Sequence, residues 1–77
     1  MENQIVHEIQ RNETEVLRVS LRDYKEKTYL DLRVFFQVAQ GGEWIPTKKG
    51  LTVDVAHLSD LKAGIEKAEA ALVQKAA

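Results

Sequence analysis

Apolar and polar positions alternate along the first half of the chain. Leu17, Val19 and Leu21 are separated by Arg18 and Ser20, a period of two that predicts a β-strand beginning at Glu15. Asp23-Tyr24-Lys25-Glu26-Lys27 breaks the alternation and reads as a hairpin connection. A second strand is predicted from Thr28 to Val38, rich in β-branched and aromatic residues. Its even positions, Leu30, Leu32, Val34, Phe36 and Val38, are apolar, whereas its odd positions, Tyr29, Asp31, Arg33, Phe35 and Gln37, are mixed. Successive strand side chains face opposite ways. Alternation alone therefore turns Phe36 to the core and Phe35 to the other face.

Ala39-Gln40-Gly41-Gly42 is a turn signal. Glu43 to Ile45 reads as a short third strand stopped by Pro46, Thr47 to Gly50 as a basic loop, and Leu51 to Val53 as a fourth strand. Asp54 has the character of a helix N-cap. Leu58, Leu61, Ile65, Ala68 and Leu72 follow at alternating spacings of three and four, a heptad-like seam on one helix face. The spacing predicts a helix from about residue 55 to 75, roughly 30 Å long at 1.5 Å per residue. Residues 1–14 read as an N-terminal arm or short edge strand, and 15–77 as one domain. The class is α+β: a four-stranded antiparallel sheet followed by one long C-terminal helix.

With 77 residues and no cysteine, the chain builds only a small core and has no disulfide to support it. Oligomerisation through the helix seam is the remaining support, so a homodimer is expected, with Leu58, Leu61, Ile65, Ala68 and Leu72 in the interface. His7 and His57 are the only imidazoles and have no metal-ligand spacing, so no metal or other cofactor is expected. No apolar run approaches about 18 residues and no secretory pattern opens the chain, so the expected location is cytoplasmic, away from membranes. Nucleophile elbow, P-loop and Rossmann glycine patterns are absent, which favours a binding module over an enzyme.

The net charge of −1 looks unfavourable for nucleic acid, but the distribution matters more than the sum. Basic side chains outnumber acidic ones only in residues 11–50. The same region holds every aromatic: Tyr24, Tyr29, Phe35, Phe36 and Trp44. Aromatics interleaved with Arg and Lys suit single-stranded nucleic acid, whose bases stack on rings while cations follow the phosphates. The plainer reading is that the aromatics fill a core and the charges cover a solvated face.

The stretches VSLRDYKEKTYLDLRVFF and GEWIPTKKGLTVDVAHLSDL resemble the C-terminal single-stranded-DNA-binding domain of the transcriptional positive cofactor four family of coactivators. The similarity covers about residues 16–72, in matching element order. It implies a homodimer with a curved four-stranded sheet and helices at the interface, nucleoid-associated in a bacterial cell. It also implies a binding site drawn from the first hairpin, the second strand and the basic loop. Carried onto this chain, that site comprises Arg22, Tyr24, Lys25, Lys27, Arg33, Phe36, Lys48 and Lys49, with Trp44 a further candidate for stacking. Phe36 stands where a tryptophan can stack on a base, and Glu26 where a turn glycine is common. The resemblance thus selects Phe36 and alternation selects Phe35. The expected function is single-stranded DNA binding with little sequence preference, in transcription regulation or DNA maintenance. The alternatives are single-stranded RNA binding and a dimeric adaptor in a transcription complex.

Overall fold

A computed structural model describes residues 3–76 of the chain. Its elements are β1 (Gln4–Gln10), β2 (Glu15–Tyr24), β3 (Lys27–Gln37), β4 (Trp44–Asp54) and α1 (Leu58–Ala76), with a 3₁₀ turn at Val55–His57 leading into the helix. Each strand pairs antiparallel with the next, giving the order β1-β2-β3-β4. The fold is α+β, as the pattern predicts. Met1, Glu2 and Ala77, the outer ends of the expected arm and domain, lie outside the described residues.

Residues 4–10 form an edge strand, one of the two forms expected of the N-terminal segment, exposed along its whole length. One boundary differs from expectation. The short strands expected at Glu43–Ile45 and Leu51–Val53 are the two ends of a single β4 running through Pro46. Pro46 is tolerated because β4 is an edge strand, with a partner on one side only. The pairing jumps from Phe35↔Pro46 to Arg33↔Gly50, so Thr47, Lys48 and Lys49 stand opposite Val34 alone. This is an enlarged bulge, which bends the strand and re-aims its side chains.

The β2–β3 hairpin closes more tightly than the pattern suggests. Tyr24 pairs with Lys27, leaving Lys25 and Glu26 as the connection. Both are left-handed, with φ of 49° and 66°, as a two-residue primed turn requires. That conformation favours Gly or Asn, and Lys and Glu adopt it at a cost.

The even-numbered side chains of β3 and the odd-numbered ones of β2 form the apolar face, with Leu17, Val19 and Leu21 opposite Val34, Leu32 and Leu30. Among the described residues the buried apolar side chains are Val16, Leu30 and Val34. The 3₁₀ turn lies against β3, and the Asp54 carboxylate accepts a 2.9 Å hydrogen bond from the Ala56 N–H at its start. Beyond it α1 scarcely touches the strands. Leu58 and Leu61 are half-buried, but Ile65 and Leu72 are 54% and 64% exposed. No helix among the described residues is long and apolar enough to cross a membrane.

Gly50 is where β4 rejoins the regular ladder after the bulge. A Cβ there would fall on the Leu32 carbonyl oxygen and lie 2.9 Å from the Arg33 Cα, both backbone atoms. Two stability changes of opposite sign follow, both checked by thermal unfolding at one fixed protein concentration. Glu26→Gly relieves a left-handed side chain and raises stability by about 1 kcal/mol, roughly 4–8 °C in a domain of this size. Gly50→Ala lowers stability by about 1–3 kcal/mol through overpacking against backbone.

Candidate nucleic-acid interface

The second face of the sheet collects the chemistry. Register pairs put Val16 beside Phe35, Arg18 beside Arg33, Ser20 beside Asp31, Arg22 beside Tyr29 and Tyr24 beside Lys27, all on this face. Its β4 side supplies Trp44, level with Gln37, and Thr52, level with Asp31. A cleft of about 500 Å³ opens here, lined by Ser20, Arg22, Asp31, Arg33, Phe35, Pro46, Thr47 and Lys48, with Asn3 at its margin. A second hollow of about 250 Å³ is lined by Arg22, Tyr24, Tyr29 and Thr52. Arg22 lines both, so the two hollows adjoin at its side chain and together make a path.

The floor of the path is polar and tightly bonded. Asp31 is 4% exposed. It accepts Arg33 Nε and Nη2 in a fork of two 3.1 Å hydrogen bonds, and the Thr52 hydroxyl at 3.0 Å. Arg33 Nη1 donates to the Thr47 carbonyl at 2.8 Å. Among the described residues no buried side-chain nitrogen or oxygen lacks a hydrogen-bond partner. Such a fully satisfied network fixes its members in place.

At the other end of the face, the Arg18 guanidinium lies over the Phe35 ring, 4.7 Å from its centroid, and 5.8 Å from that of Trp44. Its Nε donates to Glu8 of β1 at 2.7 Å. Near the hairpin, Lys25 Nζ is 5.4 Å from the Tyr24 ring centroid. Lys27 faces Asp54 at 3.9 Å, an exposed pair with little energetic weight. Among the described residues the remaining ion pairs join Arg11 to Glu15, Arg18 to Glu8 and Arg33 to Asp31. Arg22, Lys25, Lys48 and Lys49 take part in none of these. No group of His, Asp and Glu among the described residues could hold a metal ion.

Most of the residues expected at the site therefore converge on this face or its rim. Arg22, Tyr24, Arg33 and Lys48 line the path. Lys25 lies in the hairpin turn and Lys27 follows it, Trp44 lies near Arg18, and Lys49 follows Lys48 in the exposed bulge.

Phe36 is the exception. It pairs with Glu15 and Ile45 on the apolar face, and Phe35 lines the cleft instead. The reason is geometric: β2 and β3 pair without interruption, so nothing shifts the parity of β3. The bulge that could have done so inserts its extra residues into β4. Sequence reasoning did not single out Tyr29, Asp31, Thr47 and Thr52 as site residues. Asp31 and Arg33, opposite charges two apart on one strand, were the available signal for the fork.

Comparison with known proteins agrees with the fold. The family model for transcriptional coactivator p15 (PC4) matches residues 11–64. No curated protein matches the chain. Among solved structures, BPSL1147, a PC4 homolog from Burkholderia pseudomallei K96243, is similar in two crystal forms. The orthorhombic form gives a TM-score of 0.78 at 25% identity, covering 87% of this chain and 89% of that one. The tetragonal form gives 0.79 at 24% identity, covering 88% and 98%. A bacteriophage T5 homolog of the eukaryotic coactivator PC4, implicated in recombination-dependent DNA replication, gives 0.70 at 19% identity, covering 97% and 88%.

Proposed function

The chain belongs to the PC4 family of transcriptional coactivators, and from that premise we propose that it binds single-stranded DNA, with little sequence preference, as a homodimer. The observation that carries this reading is the segregation of the sheet. One face is aliphatic, and the other aligns Phe35, Tyr29, Tyr24 and Trp44 with Arg22, Lys25 and Lys48. Rings offer π-faces to any base, and cations follow phosphates without reading sequence. Phe35 and Tyr29 are six residues apart on β3, about 20 Å at strand rise, so the rings can serve several nucleotides along one strand. Lys48 and Lys49 at one end of the path, and Arg22, Lys25 and Lys27 at the other, are the phosphate contacts. The stacking role goes to Phe35 rather than Phe36, because Phe35 is the ring that faces the path.

Self-association is supported by the helix. Ile65 and Leu72 are exposed in a single chain whose core is small, and Gly64, the residue before Ile65, has open space around it. A second copy of α1 along that seam buries them and enlarges the core. Transcription regulation is the role that the family description supports.

Titration of fluorescent oligo-dT across salt concentrations tests the binding. Affinity falls steeply as salt rises, because phosphate contacts release counterions, and duplex of equal length binds less well. RNA oligomers serve as competitors; tighter binding of RNA transfers the proposal to that nucleic acid. Lys48→Glu with Lys49→Glu abolishes binding without altering the oligomer. Phe35→Ala weakens binding by about 1–3 kcal/mol, the usual value of one base–aromatic stack. Phe36→Ala lowers stability and leaves the affinity of the folded fraction unchanged; a larger affinity loss from Phe36→Ala than from Phe35→Ala returns the stacking role to Phe36. Sedimentation at micromolar concentration gives a dimer for the native chain and a monomer for Ile65→Glu with Leu72→Glu. A native monomer removes the dimer from the proposal.

A further inference from the structure

The bulge in β4 leaves polar backbone groups that the ladder does not pair, and two side chains satisfy three of them. The Thr47 hydroxyl donates to the Val34 carbonyl at 2.8 Å and accepts the Lys49 N–H at 3.1 Å. The Thr47 carbonyl accepts Arg33 Nη1 at 2.8 Å. Arg33 is in turn held by the fork to Asp31, which Thr52 anchors from β4. Three of the five N–H donors of the guanidinium are thus committed inside the protein. Its charge is matched by a carboxylate whose side chain is 6% exposed, and its own side chain is 21% exposed. Lys48, by contrast, sits on the exposed outer part of the bulge and takes part in no ion pair among the described residues.

We propose that Arg33 serves the nucleic-acid site as a positioning residue rather than as a phosphate contact. Together with Asp31 and Thr47 it builds the bulge from which Lys48 meets the phosphate. A phosphate approaching Arg33 competes with the Asp31 carboxylate, which already takes the planar fork that makes arginine a good anion ligand. A phosphate approaching Lys48 displaces no ion-pair partner among the described residues. The part concerning affinity rests on the single-stranded-DNA reading; the part concerning the bulge does not.

Amide hydrogen exchange of the free protein tests the bulge without any nucleic acid. Arg33→Gln keeps a polar side chain but loses the fork and the charge, and it speeds exchange of the Lys49 amide at least tenfold while the β1–β2 amides keep their protection. Unchanged Lys49 exchange overturns the proposal, whether or not DNA binds. A double-mutant cycle with oligo-dT tests the affinity. Lys48→Ala weakens binding in the native background but costs about threefold less, or lower still, in the Arg33→Gln background, the coupling expected of residues that act together. Independent, multiplicative losses overturn the positioning role. Asp31→Asn gives a third readout, usable if Arg33→Gln fails to fold. If Arg33 is a phosphate contact restrained by Asp31, removing the carboxylate charge tightens binding. The positioning role predicts binding that is weaker or unchanged.

Discussion

The uninterrupted pairing of β2 with β3 is the constraint on which the rest of the structure depends. Every residue from Glu15 to Tyr24 has its partner between Phe36 and Lys27, with no slip. A slip of one residue would exchange the two faces, placing arginines against the aliphatic side chains and leucines in the cleft. The bulges that bend the sheet fall on the outer pairings, between β1 and β2 and between β3 and β4, where they reshape an edge without disturbing the division. The hairpin pins the register from one end, and the left-handed conformation of Lys25 and Glu26 is the strain that accompanies so short a connection. An aliphatic face and a cationic aromatic face therefore coexist on a single layer.

That single layer also explains the helix. A sheet with two different faces needs a cover on its aliphatic side, and α1 gives it little beyond its first residues. The exposed Ile65 and Leu72 are the counterpart of this incomplete cover. On the opposite face Val16 is fully buried beside Phe35, and the polar Asp31 and Ser20 are also nearly inaccessible. A buried carboxylate is tolerated only where its charge and lone pairs are met, and Arg33 and Thr52 meet them. The two faces thus reach order differently: by apolar contact alone on one, and on the other by a closed hydrogen-bond network beside the buried Val16.

The parts of the fold legible in the sequence are those with an unbroken period. Leu17 to Leu21 and Leu30 to Val34 alternate cleanly, and the structure keeps both strands and the apolar face they define. Residues 4–10 were ambiguous because Ile5 and Val6 are adjacent and the pairing shifts between Ile5 and His7, which erases alternation where a strand exists. β4 was divided in two because Pro46 and the bulge both read as strand ends; the hydroxyl of one threonine, Thr47, carries the strand across. At the site, basic and aromatic composition located the right segment. Composition does not distinguish a lysine with no ion pair among the described residues, such as Lys48, from an arginine already matched, such as Arg33. For the paired phenylalanines, simple alternation predicted the observed faces and motif correspondence did not. Parity follows from local backbone geometry, whereas a motif carries over a role from other chains.

Arg18 gives the stacking surface a particular shape. Its guanidinium covers one side of the Phe35 ring and is tied back to Glu8 on the edge strand. On the proposed reading, a base that stacks on Phe35 does so on the side of the ring that Arg18 leaves uncovered. A slot grips by thickness and shape, and so discriminates purine from pyrimidine. If the proposed binding holds, a ring covered on one side acts as a shelf, and a strand lying on a shelf can advance by one base without first being withdrawn.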